Sequence, residues 1–163
     1  GSDWLPSGSM NLNRELACAV QYDHVRLHDA LDDRALWRMV TIDAARAVHD
    51  EAVIGSIATG HVADMALFEP HGADPYAAVV RSSPQRVVLV LRGGTILYGQ
   101  APVVDALRPG CETLDVAGST RRLCPEPGRP GVATLAAFAA GRALYPLAFA
   151  GTPTNEPTCR PTP

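Results

Sequence analysis

The residues best suited to chemistry lie at the start of the chain, in Asp3-Trp4-x-Pro6-Ser7-Gly8-Ser9-x-Asn11-Leu12-x-Arg14-Glu15-Leu16. Asp3 supplies an anionic oxygen, which can bind a hard or borderline divalent cation. The same carboxylate can take a proton from an attacking water and return it to a leaving group. Ser7, Ser9 and Asn11 carry hydroxyl and amide groups able to contact a substrate, and Trp4 can wall a pocket. Each also has a plainer role. Asp3 can be an unpaired residue in a terminal loop. Ser7, Ser9 and Asn11 can form turns and cap a helix, and Trp4 can simply pack.

Other candidates are weaker. His24 and His28 stand four apart, close to Asp23, Asp29, Asp32 and Asp33, so a zinc site is conceivable on one helix face. No H-E-x-x-H occurs, and a solvated polar turn is the expected role. His49, His61 and His71 fall at a helix end or in turns. Cys18, Cys111, Cys124 and Cys159 are far apart with no C-x-x-C, which argues against a zinc ribbon or thioredoxin-like site. Isolated thiols in a reducing cytoplasm are expected, with Cys111 and Cys124 as the pair should the chain be exported. All 14 basic residues are arginine, so no Schiff-base, P-loop or carboxylated lysine can arise within this chain. A net charge of −3 disfavours broad attraction to nucleic acid.

The elements that must hold these residues can be read from the pattern. At 163 residues and 47% hydrophobic, the chain has the size and apolar content for a core. Asn11 is placed to cap a helix whose apolar stripe is Leu12, Leu16, Ala19 and Val20. A second helix starts at Asp32 or Asp33 and runs through Val48, and Thr41 can split it in two. From Ile54 the pattern changes to short apolar runs between glycines. Residues 64–69 form a candidate strand. Arg86–Leu91 is the strongest strand, and Gly93-Gly94 turns it into a second arm at Thr95–Tyr98. That strand is apolar on both faces and calls for cover on both. Val132–Ala150 is apolar, but Arg142 and Pro146 interrupt it, so a short helix at Ala133–Leu144 is expected rather than a membrane span. Prolines crowd the sequence after Gly99, which predicts a loop-rich C-terminal part.

Four segments, taken in order, resemble the amidohydrolase superfamily of metal-dependent hydrolases and deaminases. The opening Asp3 segment resembles the end of the last barrel strand and its loop. Met39-Val40-Thr41-Ile42-Asp43-x-Ala45-Arg46-Ala47 resembles the helix before the small sandwich domain. Ile54-Gly55-Ser56-Ile57-x-x-Gly60-x-x-Ala63-Asp64 resembles the C-terminal signature, and Arg86–Gly99 resembles the final hairpin. Together they cover about the first hundred residues in the family's order.

The resemblance implies an α/β fragment: the last strand and helices of a (β/α)8 barrel, then the C-terminal strands of a small β-sandwich. The domains would be residues 1–52 for the barrel end, 53–100 for the sandwich strands and hairpin, and 101–163 for a Pro/Gly-rich extension with one short helix. It implies hydrolysis of non-peptide carbon–nitrogen bonds in a small-molecule substrate; the isolated thiols, the net charge and the interrupted apolar run give the expectations of a cytoplasmic setting, no nucleic acid and no membrane. Asp3 would be metal ligand and proton shuttle, with Trp4, Ser7, Ser9 and Asn11 at the substrate. The metal would be zinc, with iron or manganese as alternatives. Its histidine ligands, a His-x-His pair and two single histidines, would come from an N-terminal barrel segment outside this chain. Asp64 is expected to be structural, starting a strand and bonding to a turn. The isolated chain would be inactive. The alternatives are a non-catalytic α/β interaction module and a pseudoenzyme remnant.

Overall fold

The computed structural model describes residues 8–142 and Cys159. The described residues form a mixed α/β structure that divides into two compact units. The first takes in the chain up to Val62, Glu69–Ser83 and Cys159. The second takes in Ala63–Phe68 and the described residues from Pro84 to Arg142.

The first unit is helical. α1 spans Leu12–Tyr22 and is continued by a single π-helical turn, Asp23–Leu27. α2 spans Asp33–Met39 and α3 spans Ile42–Ala47. The expected break at Thr41 is present: Thr41 has left the helical conformation, and its hydroxyl donates back to the Trp37 carbonyl at 2.9 Å. The Asp32 carboxylate caps α2 by accepting from the Ala35 N–H at 2.7 Å. α4, Pro75–Val80, is a helix the sequence reading did not place. Asp74 caps it, and Pro75 sits in its first turn, where a missing N–H costs nothing. Leu16 of α1, Leu36 of α2 and Val80 of α4 form the core of this unit, with Ala19, Val20, Leu31, Trp37 and Val40 packed around them.

The second unit is built on a five-stranded antiparallel sheet in the order β1-β2-β3-β5-β4. Its strands are β1 Met65–Phe68, β2 Val87–Arg92, β3 Thr95–Gln100, β4 Glu112–Val116 and β5 Ser119–Leu123. Two-residue turns close both hairpins. Gly93 and Gly94 have φ of 55° and 77°, and Ala117 and Gly118 have φ of 53° and 77°. Paired positive φ values match the twist of the flanking strands. α5, Ala101–Leu107, lies on the sheet face that carries Leu89, Gly99 and Arg122, three residues in register across β2, β3 and β5. Its Val104 is fully buried in a core with Leu89 and Cys124. α6, Val132–Gly141, packs against β4. No helix among the described residues is long and apolar enough to cross a membrane.

Two expectations need correction. Residues 101–163 do not read out as an extension with one short helix: α5 and the β4–β5 hairpin precede α6 there. The prolines mark boundaries instead of breaking elements. Pro102 occupies the first turn of α5, Pro109 follows that helix, and Pro125, Pro127 and Pro130 lie between β5 and α6. The cysteines, expected as isolated thiols, form two disulfides, Cys18–Cys159 and Cys111–Cys124. Folding brings these positions to Cα separations of 5.0 and 4.6 Å, although 141 and 13 residues separate them along the chain. Those separations suit a disulfide, and linear spacing does not reveal them.

Candidate functional site

Asp3, Trp4 and Ser7 lie outside the described residues. Ser9 and Asn11 lie within them, where the chain enters α1. The Asn11 side-chain oxygen accepts from the Arg14 N–H at 3.0 Å, so this amide caps the helix. Ser9 is buried, and its backbone N–H donates to the Glu15 carboxylate. Asn11 therefore satisfies an otherwise orphaned helix donor, while Glu15 reaches back to the loop. These contacts tie residues 9–11 to the first turn of α1.

The three family-like segments after α1 meet in pairs. Gly55, with φ of 87°, lies against α3: a Cβ there would fall 2.7 Å from the Ala45 Cβ and 3.0 Å from the Ile42 Cα. The Ile54-Gly55-Ser56 turn thus seats on the Thr41–Ala47 segment, and only glycine fits both the conformation and the space. At the other end of the same motif, the Asp64 carboxylate accepts from the Gly93 N–H at 2.6 Å. The Gly94 N–H donates to the Ala63 carbonyl at 2.9 Å. Asp64 is structural, as expected: it starts β1 and holds the β2–β3 turn. Gly99, which ends the last segment, leaves room for Val104 and for the Val88 carbonyl, which would lie 2.9 and 2.6 Å from an added Cβ.

Several other polar groups are engaged locally. His24 Nδ1 lies 3.0 Å from an Asp29 oxygen, both exposed. His28 turns away in a left-handed conformation with φ of 59°, so the two histidines do not share a helix face. Buried Asp23 accepts from the Leu31 N–H and closes the loop between them. Asp43 accepts two hydrogen bonds from Arg38, at 2.7 and 3.0 Å, and one from Arg46 at 3.0 Å. The Arg38 hydrogen bond, ahead of its charge and of Arg46, holds the Asp43 carboxyl below the usual range. Arg122 does the same to Asp105 through bonds of 2.8 and 2.9 Å, and is itself raised by that contact. Burial pushes the Tyr98 hydroxyl up.

Two concavities went unnoticed in the sequence. One, of about 570 Å³ in the helical unit, is edged by Asp29, Asp32, Asp33, Asp74 and Arg81. Arg81 pairs with Asp33 at 3.0 Å, and that hydrogen bond raises the arginine further. The Asp29–Asp33 cluster was its visible signal. The other, of about 360 Å³ in the sheet unit, is walled by Arg108, Glu112, Glu126, Arg129 and the Cys111–Cys124 bridge. Among the described residues, no three His, Cys, Asp or Glu side chains are grouped so as to hold a metal ion.

No family model matches the chain, and no curated protein matches it.

Proposed function

We propose that the chain is the C-terminal part of an amidohydrolase-type metal-dependent hydrolase acting on non-peptide carbon–nitrogen bonds of a small molecule. In this reading the helical unit is the end of a (β/α)8 barrel, and the sheet belongs to the small sandwich domain. The observation that carries the reading is the pairwise meeting of the family-like segments. The Ile54–Asp64 motif touches the Thr41–Ala47 segment through Gly55 and Ala45, and the final hairpin through Asp64 and Gly93.

Asp3 is the one metal ligand this chain would contribute, at the mouth of the last barrel strand. The other ligands, histidines of an N-terminal barrel segment, lie outside this chain. Zinc, iron or manganese would supply a water acidified enough to attack near neutral pH. The Asp3 carboxylate takes the proton of that water and delivers it to the leaving nitrogen. Trp4, Ser7, Ser9 and Asn11 border the substrate, with Asn11 also capping α1. The two disulfides do not suit the cytoplasmic setting expected from the sequence, and that setting is not carried into this reading. The partners are the N-terminal barrel segment and the substrate, with no nucleic acid and no membrane.

The test begins with genomic DNA directly upstream of the Gly1 codon. The expected result is an open frame encoding His-x-His and two further spaced histidines. The protein expressed from that longer frame should hydrolyse cyclic ureas, imides or amino-heterocycles, and Asp3→Asn should lower kcat by about a hundred- to ten-thousand-fold. The 163-residue chain alone should be inactive. A start codon just upstream, with no such frame, sinks the proposal and leaves the interaction-module or pseudoenzyme reading. That second reading draws on Leu67, which is 45% exposed on the edge strand β1.

A further inference from the structure

Every cysteine of the chain is bridged. Cys18–Cys159 lies within the helical unit and Cys111–Cys124 within the sheet unit. Four cysteines allow three pairings, and the fold brings only one of them to bonding distance at both sites. Both bridges have a structural place. Cys124 is buried beside Leu89 and Val104, and its N–H donates to the Leu97 carbonyl at 2.8 Å. Cys111 precedes Glu112, whose carboxylate accepts from the Val132 N–H at 2.7 Å and so caps α6. The Cys111–Cys124 bridge therefore closes the β4–β5 hairpin at its open end and anchors the residue that starts α6. Cys18 lies in the second turn of α1, two residues from the core residue Leu16. The Cys18–Cys159 bridge joins residue 159 to that helix.

We propose that both disulfides are permanent structural modifications, made after the chain is exported to an oxidising compartment. Glutathione- and thioredoxin-linked systems keep cytosolic thiols reduced, so two such bridges mark a chain that matures elsewhere. Each forms by exchange with a disulfide oxidoreductase. One cysteine thiolate attacks the oxidoreductase disulfide and makes a mixed disulfide. The second cysteine then displaces it, forming the intrachain bond. The two thiol protons and the two electrons end on the oxidoreductase, which leaves as its dithiol. The proposal does not rest on the hydrolase reading, and its test involves no activity measurement.

The 163-residue chain is produced in a bacterial host twice, once retained in the cytoplasm and once directed to the periplasm. Free thiols are counted by maleimide labelling in denaturant, and bridges are mapped by mass spectrometry of unreduced peptides. The expected result is no free thiol in the periplasmic protein, with Cys18 linked to Cys159 and Cys111 linked to Cys124. Reduction should lower its Tm by at least roughly 10 °C. Labelling of all four cysteines in the periplasmic protein, either alternative pairing, or an unchanged Tm on reduction overturns the proposal. Should the exported chain not fold, the denatured, reduced chain is refolded in a glutathione buffer and mapped in the same way. One dominant pairing then supports the proposal, and an even mixture of the three overturns it.

Discussion

Asp64 makes one short hydrogen bond, to the Gly93 N–H, and that bond holds a strand start to a turn 29 residues further along. A carboxylate accepting from a backbone N–H is stronger than a neutral acceptor. Asp64→Ala should therefore cost about 1–2 kcal/mol, read as a lower urea midpoint with an unchanged slope. Asp64→Asn, which keeps an acceptor, should recover most of that loss. Asp105 reports on pH. Its hydrogen bonds from Arg122 hold its carboxyl below the usual range, so the folded value lies below the unfolded one. The stabilisation from this pair is complete above the ordinary carboxylate range. It is lost as pH falls through the lowered folded value. Asp105→Asn should flatten the acid limb of a plot of stability against pH, with little change in shape above about pH 6. A limb as steep as the parent's would remove this role from Asp105.

At the scale of elements, Gly99 decides how closely α5 approaches the sheet. A methyl group there would meet the Val88 carbonyl and Val104, and neither is the loose end of a flexible side chain. Gly99→Ala should destabilise the protein by about 1–3 kcal/mol through overpacking, measured by chemical denaturation. Much of the element plan was legible beforehand because its signals are local. Asn11 caps the helix it was read to cap, the second helix starts at the Asp32-Asp33 pair read to start it, Thr41 splits the second stripe, and Gly93-Gly94 turns the strongest strand. The signals that failed are short or atypical. α4 has only six residues behind its Asp74-Pro75 start. β5 carries two adjacent arginines, Arg121 and Arg122, where an apolar alternation would be sought. Arg122 instead pairs with Asp105 on α5, and Arg121 is buried on the opposite face and donates to the Gln85 carbonyl. In the candidate site, the capping role of Asn11 was readable from its neighbours. The Gly55–Ala45 and Asp64–Gly93 contacts were not, because each joins residues that only the fold brings together.

At the scale of the whole molecule, the bridges divide the work by length. In the chain-entropy account, a crosslink closing 13 residues stabilises by about 3 kcal/mol and one closing 141 by about 5 kcal/mol. Most of the Tm shift expected on reduction should thus come from Cys18–Cys159. Replacing each pair by serine and comparing Tm values separates the two contributions. The division of the chain into units has another consequence. β1 belongs to the sheet, but Glu69–Ser83 on its C-terminal side belong to the helices, and the chain returns to the sheet only at Pro84. Neither unit is a continuous stretch, so no single proteolytic cut can release either one intact. During synthesis the ribosome delivers β1 before β2, its pairing partner among the described residues, exists. Met65–Phe68 must therefore emerge unpaired and wait while α4 is made, which leaves an apolar edge for a chaperone to cover during translation.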